Sequence, residues 1–264
     1  MQPTLQQLRE VVIPLARREL LPRFTHAAAA LKADGSVVTE ADLALQHALT
    51  AELAARWPQI PLLGEEMEGA EQQRLLQQAG HGLWCLDPLD GTSNFAAGIP
   101  YFSVALALIR DGQVELGLVY DPVRDECFSA ARGQGAWLND EPLQPRSFGL
   151  PLQRCVAMVD FKRLAAALKQ RLVLETPFAS QRNFGSSALD WCMLAAGRGH
   201  LYLHGKQNLW DYAAGSLILH EAGGRAVTLE GEPVLRVELA PRSVVAALDP
   251  TLFEAWNRWL DGAV

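Results

Sequence analysis

Apolar residues recur every third or fourth position in several stretches of the chain, which is the spacing of one face of an α-helix. This pattern predicts a first helix over about residues 4–21, bent at Pro14. A second helix is predicted to begin at a capping pair formed by Thr39 and Asp42 and to end before Pro58. The same spacing predicts later helices over about residues 161–171, 186–197, 211–222 and 252–260.

Between residues 103 and 138 the pattern changes to short apolar runs separated by turn residues. A turn at Asp111-Gly112 is typical of a β-hairpin, and the runs around it predict an antiparallel meander. Because helices and strands are interspersed without a regular βαβ order, the expected fold class is α+β or mixed α/β. Further strands are predicted near residues 60–64, 83–86, 155–160, 172–175, 200–204, 225–229 and 243–248.

Residues 139–154 contain three prolines among polar neighbours, which is typical of a connection between structural units. We therefore expect an N-terminal α+β lobe over residues 1–148 and a C-terminal α/β lobe over residues 149–264. A chain of 264 residues, 49% of them hydrophobic, can bury a large core.

The charge balance disfavours two classes of partner. The chain has 30 acidic and 23 basic residues, and a net charge of -7 argues against binding to nucleic acid or to an anionic membrane. The sequence shows neither a leader pattern nor an apolar run near the roughly 20 residues of a spanning helix, so we expect a cytoplasmic protein. The cysteines are widely spaced among apolar neighbours and are expected to be reduced core residues: Cys85, Cys127, Cys155 and Cys192.

Two carboxylates follow a predicted buried strand in the segment Asp87-Pro88-Leu89-Asp90-Gly91-Thr92-Ser93-Asn94. Pro88 fixes its own φ, so the two acids leave the strand end in a preset geometry. Gly91 and Thr92 are suited to open a short helix whose free N–H groups receive an anion. Because carboxylates and a phosphate repel one another, their shared location predicts a bound cation between them.

Other common catalytic signatures are missing from the sequence. His220-Glu221 begins like a zinc protease motif, but Gly224 stands where the second histidine is needed. The sequence has no GxSxG nucleophile elbow, no Walker A spacing and no GxGxxG after a predicted strand.

Further segments join this acidic motif in a family pattern. In chain order, Gly64-Glu65-Glu66, the Asp87–Asn94 segment and Trp210-Asp211-Tyr212-Ala213-Ala214-Gly215 resemble the inositol monophosphatase family of magnesium-dependent, lithium-sensitive phosphatases. The resemblance implies a layered αβαβα sandwich of the sugar phosphatase type and a homodimer. Weaker matches are Lys32 with Val38-Thr39-Glu40-Ala41-Asp42, Gly185-Ser186-Ser187-Ala188-Leu189 and Ala195-Ala196-Gly197-Arg198.

The resemblance also assigns roles to individual residues. Two or three Mg²⁺ ions per site would bind to the carboxylates and to one backbone carbonyl, and such oxygen ligands suit this cation. Asp42 and Thr92 would take a proton from the attacking water, which Glu65 would orient. The N–H groups of Gly91 and Thr92 would hold the phosphate. The implied metal ligands are Glu65, Asp87, the carbonyl of Leu89, Asp90 and Asp211.

Several of these residues have simpler structural explanations. Asp42 and Asp211 could serve only as helix caps. Glu66 and Lys32 could be solvated charges, and the role of His200 is open.

Substrate contacts are implied at Gly185, Ser186, Ser187 and His204. His204 stands where relatives that bind inositol place an acid, and a protonated imidazole there would favour an anionic substrate. The expected substrate is a small polyol or sugar phosphate. The alternatives are histidinol phosphate, fructose 1,6-bisphosphate and a 3'-phosphonucleotide, or a non-catalytic protein that binds a phosphorylated metabolite.

Overall fold

The computed structural model describes residues 2–24, 29–31, 37–77, 80 and 82–262. A short antiparallel pair, β1 (Ala29–Leu31) and β2 (Val37–Thr39), precedes two larger sheets. In the first of these sheets β3 runs parallel to β4, and the remaining neighbours are antiparallel. Its strands, in spatial order, are β3 (Leu62–Gly64), β4 (Leu83–Asp90), β5 (Ser103–Arg110), β6 (Gln113–Asp121), β7 (Glu126–Ala131), β8 (Gly135–Leu138) and β9 (Glu141–Pro142).

The second large sheet is mixed and lies in the C-terminal part of the chain. Its strands are β10 (Val156–Asp160), β11 (Ser180–Arg182), β12 (Leu201–Gln207), β13 (Arg225–Val227) and β14 (Arg242–Ala247). Their spatial order is β11-β10-β12-β14-β13. Strand β10 runs parallel to both of its neighbours, and Asp160 at its end pairs with His204 in the middle of β12. The division into lobes at residues 148 and 149 stays a prediction.

The helices lie on both sides of each large sheet. In the described residues, α1 and α2 pack on the outer face of the first sheet, α6 and α7 fill the space between the sheets, and α5 and α8 cover the outer face of the second. This sequence of layers confirms the αβαβα sandwich. The helices are α1 (Leu5–Glu19), α2 (Glu40–Arg56), α3 (Gly69–Gln77), α4 (Thr92–Ala96), α5 (Ala166–Glu175), α6 (Ser187–Ala195), α7 (Leu209–Glu221) and α8 (Pro250–Asp261).

Strand β5 shows how the sequence separates the layers. Leu106 packs in the cluster that contains α1 and α2, whereas Ala105 and Ala107 pack in the cluster that contains α7. Small residues on the inner face let α7 approach the sheet closely. At Gly117 of β6, an added Cβ would lie 2.9 Å from the carbonyl oxygen of Ala214 in α7. The backbone of α7 therefore packs directly against the backbone of β6 in the first sheet.

Local sequence signals explain most helix boundaries. Helix α1 begins at a capping box formed by Thr4 and Gln7 and continues past Pro14, where the sequence predicts a bend. Helix α2 begins at the predicted Thr39–Asp42 capping box, which is confirmed. No described helix is long and apolar enough to cross a membrane.

One sequence prediction requires correction, and one helix was not predicted. Residues 172–175, predicted to form a strand, are the last turn of α5. The prediction was wrong because the apolar run is not buried throughout: Val173 is 62% and Leu174 is 74% exposed, and only Leu172 packs in the core. The sequence analysis also missed α3, which is polar except for a few positions such as Leu75.

Candidate active site

A β-bulge places Asp87 and Asp90 on the same face of β4. Along the β4–β5 ladder, Asp87 pairs with Ala105 and Asp90 pairs with Ser103, so three steps on β4 match two steps on β5. In a regular strand, residues three positions apart face opposite sides. The extra residue in β4 reverses this, because a bulge shifts the following side chain to the other face. Both carboxylates therefore point into the same space.

The third acid of the cluster comes from the start of α7. Asp211, Asp87 and Asp90 each contribute a carboxylate oxygen to a group whose members lie within 4.8 Å of one another. Asp211 also accepts a hydrogen bond from the backbone N–H of Asn208 at 2.7 Å, so it caps the helix as well. The carboxylate of Asp211 can therefore cap α7 and belong to the acidic cluster at the same time.

Glu65 completes the acidic group from the neighbouring strand. It follows β3, and its backbone N–H donates to the carbonyl of Leu86 in β4 at 3.1 Å. Its carboxyl group lies within hydrogen-bonding reach of Asp87. The parallel pairing of β3 with β4 therefore brings Glu65 beside the strand that carries both aspartates.

Electrostatics at this cluster favour a bound cation. Burial, and then repulsion from neighbouring carboxylates, raises the pKa of Asp87 and of Asp211 well above its ordinary value. Burial also raises the pKa of Asp90, although hydrogen bonds to its carboxylate oppose this. Within the described part of the chain, no ion pair neutralises these three acids. Arg163 lowers the pKa of Asp211, but this effect is smaller than those of burial and of repulsion from the neighbouring carboxylates. Buried and half-buried carboxylate oxygens that form no ion pair fit a hard divalent cation such as Mg²⁺.

Gly91 begins the turn that follows the acids. Its φ is +95°, and an added Cβ would lie 3.0 Å from the carbonyl oxygen of Tyr101 and 3.3 Å from that of Gly185. Glycine is therefore required here by both backbone conformation and space. The residue forms the N-cap of α4, which places the first N–H groups of that helix next to Asp90. The predicted phosphate contacts of Gly91 and Thr92 stay a prediction.

Thr92 links the turn to α2. Its hydroxyl lies 3.1 Å from Oδ1 of Asp42 and 2.9 Å from the carbonyl oxygen of Leu89. The other Asp42 oxygen accepts hydrogen bonds from the N–H and hydroxyl groups of Thr39. Asp42 therefore caps α2 with one oxygen and meets Thr92 with the other. Burial raises the pKa of Asp42, a direction that suits a group that exchanges a proton.

The predicted substrate residues at the start of α6 contact Asp90. Oδ2 of Asp90 accepts hydrogen bonds from the Ser186 hydroxyl and, at 2.7 Å, from the Ala188 N–H. Ser187 lies 3.3 Å from Oδ1. Gly185 has a φ of +81°, and an added Cβ would meet the side chain of Asn94 at 3.1 Å. These contacts show that this segment positions Asp90; whether it also contacts substrate stays a prediction.

His204 lies in the middle of β12, beside Asp160 at the end of β10. Its Nε2 is 3.1 Å from Oδ2 of Asp160, and its Nδ1 accepts a hydrogen bond from the Lys206 N–H at 3.2 Å. Both ring nitrogens are therefore engaged by the protein. The sequence-based expectation that His204 contacts the substrate remains untested, but the imidazole is tied to an acid that the sequence analysis did not single out.

The comparison with known proteins identifies the family. The family model described as the inositol monophosphatase family matches residues 2–260. The chain belongs to the inositol monophosphatase family. The chain is 36% identical over 211 residues to a protein of Pasteurella multocida named Nus factor SuhB, covering 76% of this chain and 75% of that protein. It is 34% identical over 209 residues to an inositol-1-monophosphatase of Mesorhizobium japonicum, with 76% and 75% coverage.

Solved structures of the family support the same assignment. The crystal structure of the extragenic suppressor protein suhB from Bartonella henselae aligns with a TM-score of 0.84 at 29% sequence identity. The alignment covers 98% of both chains. Members of the inositol monophosphatase family are phosphomonoesterases, and the chain is a phosphatase of this family.

A cavity of about 120 Å³ adjoins the acidic cluster of this family member at Asp90. Its lining includes two acids that the sequence analysis missed, Asp160 and Asp190. Asp160 ends a predicted strand, and a polar residue at a strand end is a signal that could have identified it. Asp190 lies inside an apolar helix, where a lone acid has no local signature of function.

The structure describes two of the three residues of open role, and neither of these two lines the cavity. Lys32 lies outside the described residues. The backbone N–H of Glu66 donates to the side chain of Gln46 at 3.0 Å. His200 accepts a hydrogen bond from the Val156 N–H at 2.9 Å, and burial lowers its pKa, which favours the neutral ring.

Proposed function

We propose that this chain is a Mg²⁺-dependent phosphomonoesterase that hydrolyses a small polyol or sugar phosphate. The observation that carries the proposal is the group of carboxylate oxygens from Asp87, Asp90 and Asp211 within 4.8 Å of one another. The acids come from two separate segments of the chain, and burial with mutual repulsion disfavours their shared ionisation. Such an arrangement is costly without a cation and suits a phosphatase that needs one.

The metal ligands proposed are the three aspartates together with Glu65 and the carbonyl of Leu89. When bound, Mg²⁺ lowers the pKa of a coordinated water and offsets the negative charge of the phosphate. The ligand set is large enough for two or three ions. Ser186 and Ala188 hold Asp90 in a fixed orientation by their hydrogen bonds to its Oδ2.

The proposed proton acceptor is the pair formed by Thr92 and Asp42. The Thr92 hydroxyl has one proton and lies within reach of both Asp42 and the Leu89 carbonyl. It can therefore pass a proton to Asp42 and receive one from the attacking water. Glu65 orients that water from the side of β3. The N–H groups of Gly91 and Thr92 bind the phosphate oxygens at the start of α4.

Several phosphate esters are candidate substrates. Inositol 1-phosphate is a candidate because relatives are named inositol-1-monophosphatases. Histidinol phosphate, fructose 1,6-bisphosphate and a 3'-phosphonucleotide are the alternatives. A non-catalytic metabolite-binding protein is disfavoured, because binding alone does not need a buried Asp42 hydrogen-bonded to Thr92.

We further propose a cytoplasmic homodimer. The four cysteines are all buried and unpaired, which is typical of a reducing compartment. The large apolar side chains of Ile99 and Phe184 are exposed, and both line a cavity of about 360 Å³. A second copy covering this surface would remove it from water. Sedimentation of the protein and of its Phe184→Asp variant tests this: a monomeric wild type would contradict it.

Phosphate release from a panel of phosphomonoesters tests the enzymatic proposal. The panel contains inositol 1-phosphate and the three alternative substrates, each assayed with Mg²⁺, with Ca²⁺ and with a chelator. We expect turnover with Mg²⁺ and none with the chelator. Absence of turnover on every ester in Mg²⁺ would contradict the proposal.

A further inference from the structure

We propose that the hydroxyl group of Ser103 accepts a hydrogen bond from a water molecule of the cation that the acidic cluster binds, and that Ser103 is a positioning residue of the metal site. Ser103 lies on β5, directly opposite Asp90 of β4. This inference rests on the proposed function, because it concerns the Mg²⁺ of the same site.

The hydroxyl group of Ser103 is buried without a hydrogen-bond partner. The side chain is fully buried, and in the described part of the chain Oγ has neither a donor nor an acceptor in hydrogen-bonding geometry. A buried hydroxyl that pairs with nothing costs free energy, and native proteins rarely keep one unless a bound water or ion supplies the partner. Alanine at this position would avoid the cost. The unpaired hydroxyl therefore indicates a bound partner.

Ser103 points to the side of the sheet on which the acids lie. Its neighbours Phe102 and Val104 pack in the cluster that contains α1 and α2, on the outer face. Because successive side chains of a strand point to opposite faces, Ser103 points to the inner face. Leu89 also packs in the outer cluster, so Asp90 points inward as well. Residues directly opposite each other on antiparallel strands have Cβ atoms about 4.5–5.5 Å apart. The two side chains are therefore neighbours.

The hydrogen bonds to the Asp90 carboxylate come from a different element. Among the described residues, the Ser186 hydroxyl and the Ala188 N–H donate to Oδ2, and the Ser187 hydroxyl lies 3.3 Å from Oδ1. All three groups belong to the start of α6. Ser103 approaches Asp90 from β5 and takes no part in this set. Its hydroxyl is therefore available to a group bound between β5 and the acids.

A hydrated divalent cation supplies a suitable hydrogen-bond donor. Mg²⁺ keeps several of its waters when carboxylates bind it, and the O–H groups of these waters need acceptors. A serine hydroxyl has two lone pairs and adds no charge to the cluster. Loss of an outer hydrogen-bond partner of this kind typically weakens metal binding by about 10–100-fold. Ser103 therefore contributes to cation affinity without being a ligand itself.

Calorimetric titration with Mg²⁺ tests this assignment without an activity assay. We expect the apparent Kd for Mg²⁺ to be about ten-fold higher in Ser103→Ala than in the wild type. Ser103→Cys should show a similar rise, because a thiol is a weak acceptor. In the presence of a chelator, the melting temperature of Ser103→Ala should equal or exceed that of the wild type, since the variant lacks the unpaired hydroxyl. A serine with only a structural role would instead give a lower melting temperature.

Ser129→Ala is the matched control. Ser129 lies on β7 of the same sheet and is 2% exposed, but its neighbours Phe128 and Ala130 pack in the inner cluster, so it points to the outer face. Its Kd for Mg²⁺ should equal that of the wild type. An unchanged Kd in Ser103→Ala, or an equal rise in Ser129→Ala, would overturn the assignment. The partner of Ser103 would then be a buried water that has no connection to the cation. Failure of the wild type to bind Mg²⁺ would instead contradict the proposed function.

Discussion

Asp160 at the end of β10 and His204 in the middle of the neighbouring parallel strand β12 are joined by a hydrogen bond of 3.1 Å between Oδ2 and Nε2. This hydrogen bond is the largest cause of a lowered pKa at Asp160. The hydrogen bond also engages Nε2 of the His204 imidazole, so the carboxylate of Asp160 is the group at this position that can still accept a hydrogen bond. The contribution of this contact to stability can be measured by its dependence on pH.

The lowered pKa of Asp160 predicts a pH-dependent contribution to stability. A carboxyl group whose pKa is lower in the folded state stabilises the fold above its unfolded pKa, and this contribution is lost as pH falls through the folded value. We expect Asp160→Asn to lower the free energy of unfolding by about 1 kcal/mol at neutral pH. The difference should shrink at an acidic pH below the ordinary aspartate pKa of about 3.9, as pH falls through the lowered folded pKa. Urea denaturation at both pH values measures it, and an equal difference at both would contradict the prediction.

His204→Glu tests whether residue 204 contacts the substrate or only pairs with Asp160. If residue 204 contacts inositol as an acid does in relatives, the change improves kcat/KM for inositol 1-phosphate. The structure predicts a different result, because a glutamate would stand beside Asp160 and lose the hydrogen bonds of both ring nitrogens. We expect no gain on inositol 1-phosphate and a lower melting temperature. A ten-fold gain at unchanged stability would show that residue 204 acts directly on substrate.

Asp90→Asn tests the metal assignment while keeping the local fold. The asparagine carbonyl can still accept from Ser186 and Ala188, so we expect a melting temperature close to that of the wild type without metal. Loss of one metal-binding charge should reduce Mg²⁺-dependent kcat/KM by about a hundred-fold or more. Calorimetric titration with Mg²⁺ provides an independent readout. Full turnover by the variant would remove Asp90 from the metal site.

We predict inhibition by Li⁺ from the resemblance to lithium-sensitive phosphatases and from the oxygen ligands of the acidic cluster. A small monovalent cation can occupy oxygen ligands near Asp90 and Asp211 once product has formed. We expect millimolar Li⁺ to lower the steady-state rate relative to Na⁺ at matched ionic strength. K⁺ serves as the second control, because it is much larger than Mg²⁺, whereas Li⁺ is close to Mg²⁺ in size. Equal rates in the three salts would show that this site differs from the lithium-sensitive members.

Gly215→Ala tests the packing of α6 against α7. An added Cβ would lie 2.5 Å from Cβ of Trp191, which is fully buried and cannot move away cheaply. Alanine is favoured over glycine in a helix by about 1 kcal/mol, but overpacking of this kind costs about 1–3 kcal/mol. We expect net destabilisation in urea denaturation. Gly69→Ala, where an added Cβ meets nothing within 4 Å, should be neutral or stabilising.

The two acids of β4 could be predicted from their local sequence, whereas the site role of Asp211 was implied by the resemblance to the family. Asp87 and Asp90 follow a buried apolar run, and Asp211 opens a helix with an apolar face. The bulge that turns both aspartates to one side could not be predicted, since it depends on the register of β4 against β5. The spacing of the two acids is explained by that register, which only the folded sheet defines.

Asp160 and Asp190 were missed for a related reason. Their proximity depends on the parallel pairing of β10 with β12 and on the packing of α6 between the sheets. Neither interaction leaves a pattern within a short stretch of sequence. Val173 and Leu174 caused the opposite error, a predicted element that the structure does not contain. Their apolar run predicts a buried strand, but both side chains are exposed on α5.

The shared layer of α6 and α7 has a consequence for the growing polypeptide. A nascent chain that has emerged up to β9 already contains Asp87, Asp90 and the Thr92 turn, but it lacks the helices that pack on the inner face of the first sheet. Asp211 and the groups that orient Asp90 arrive only with the later residues. Hydrolysis of metabolites therefore begins only after synthesis has passed α7. A chain that ends before this helix has no hydrolytic activity.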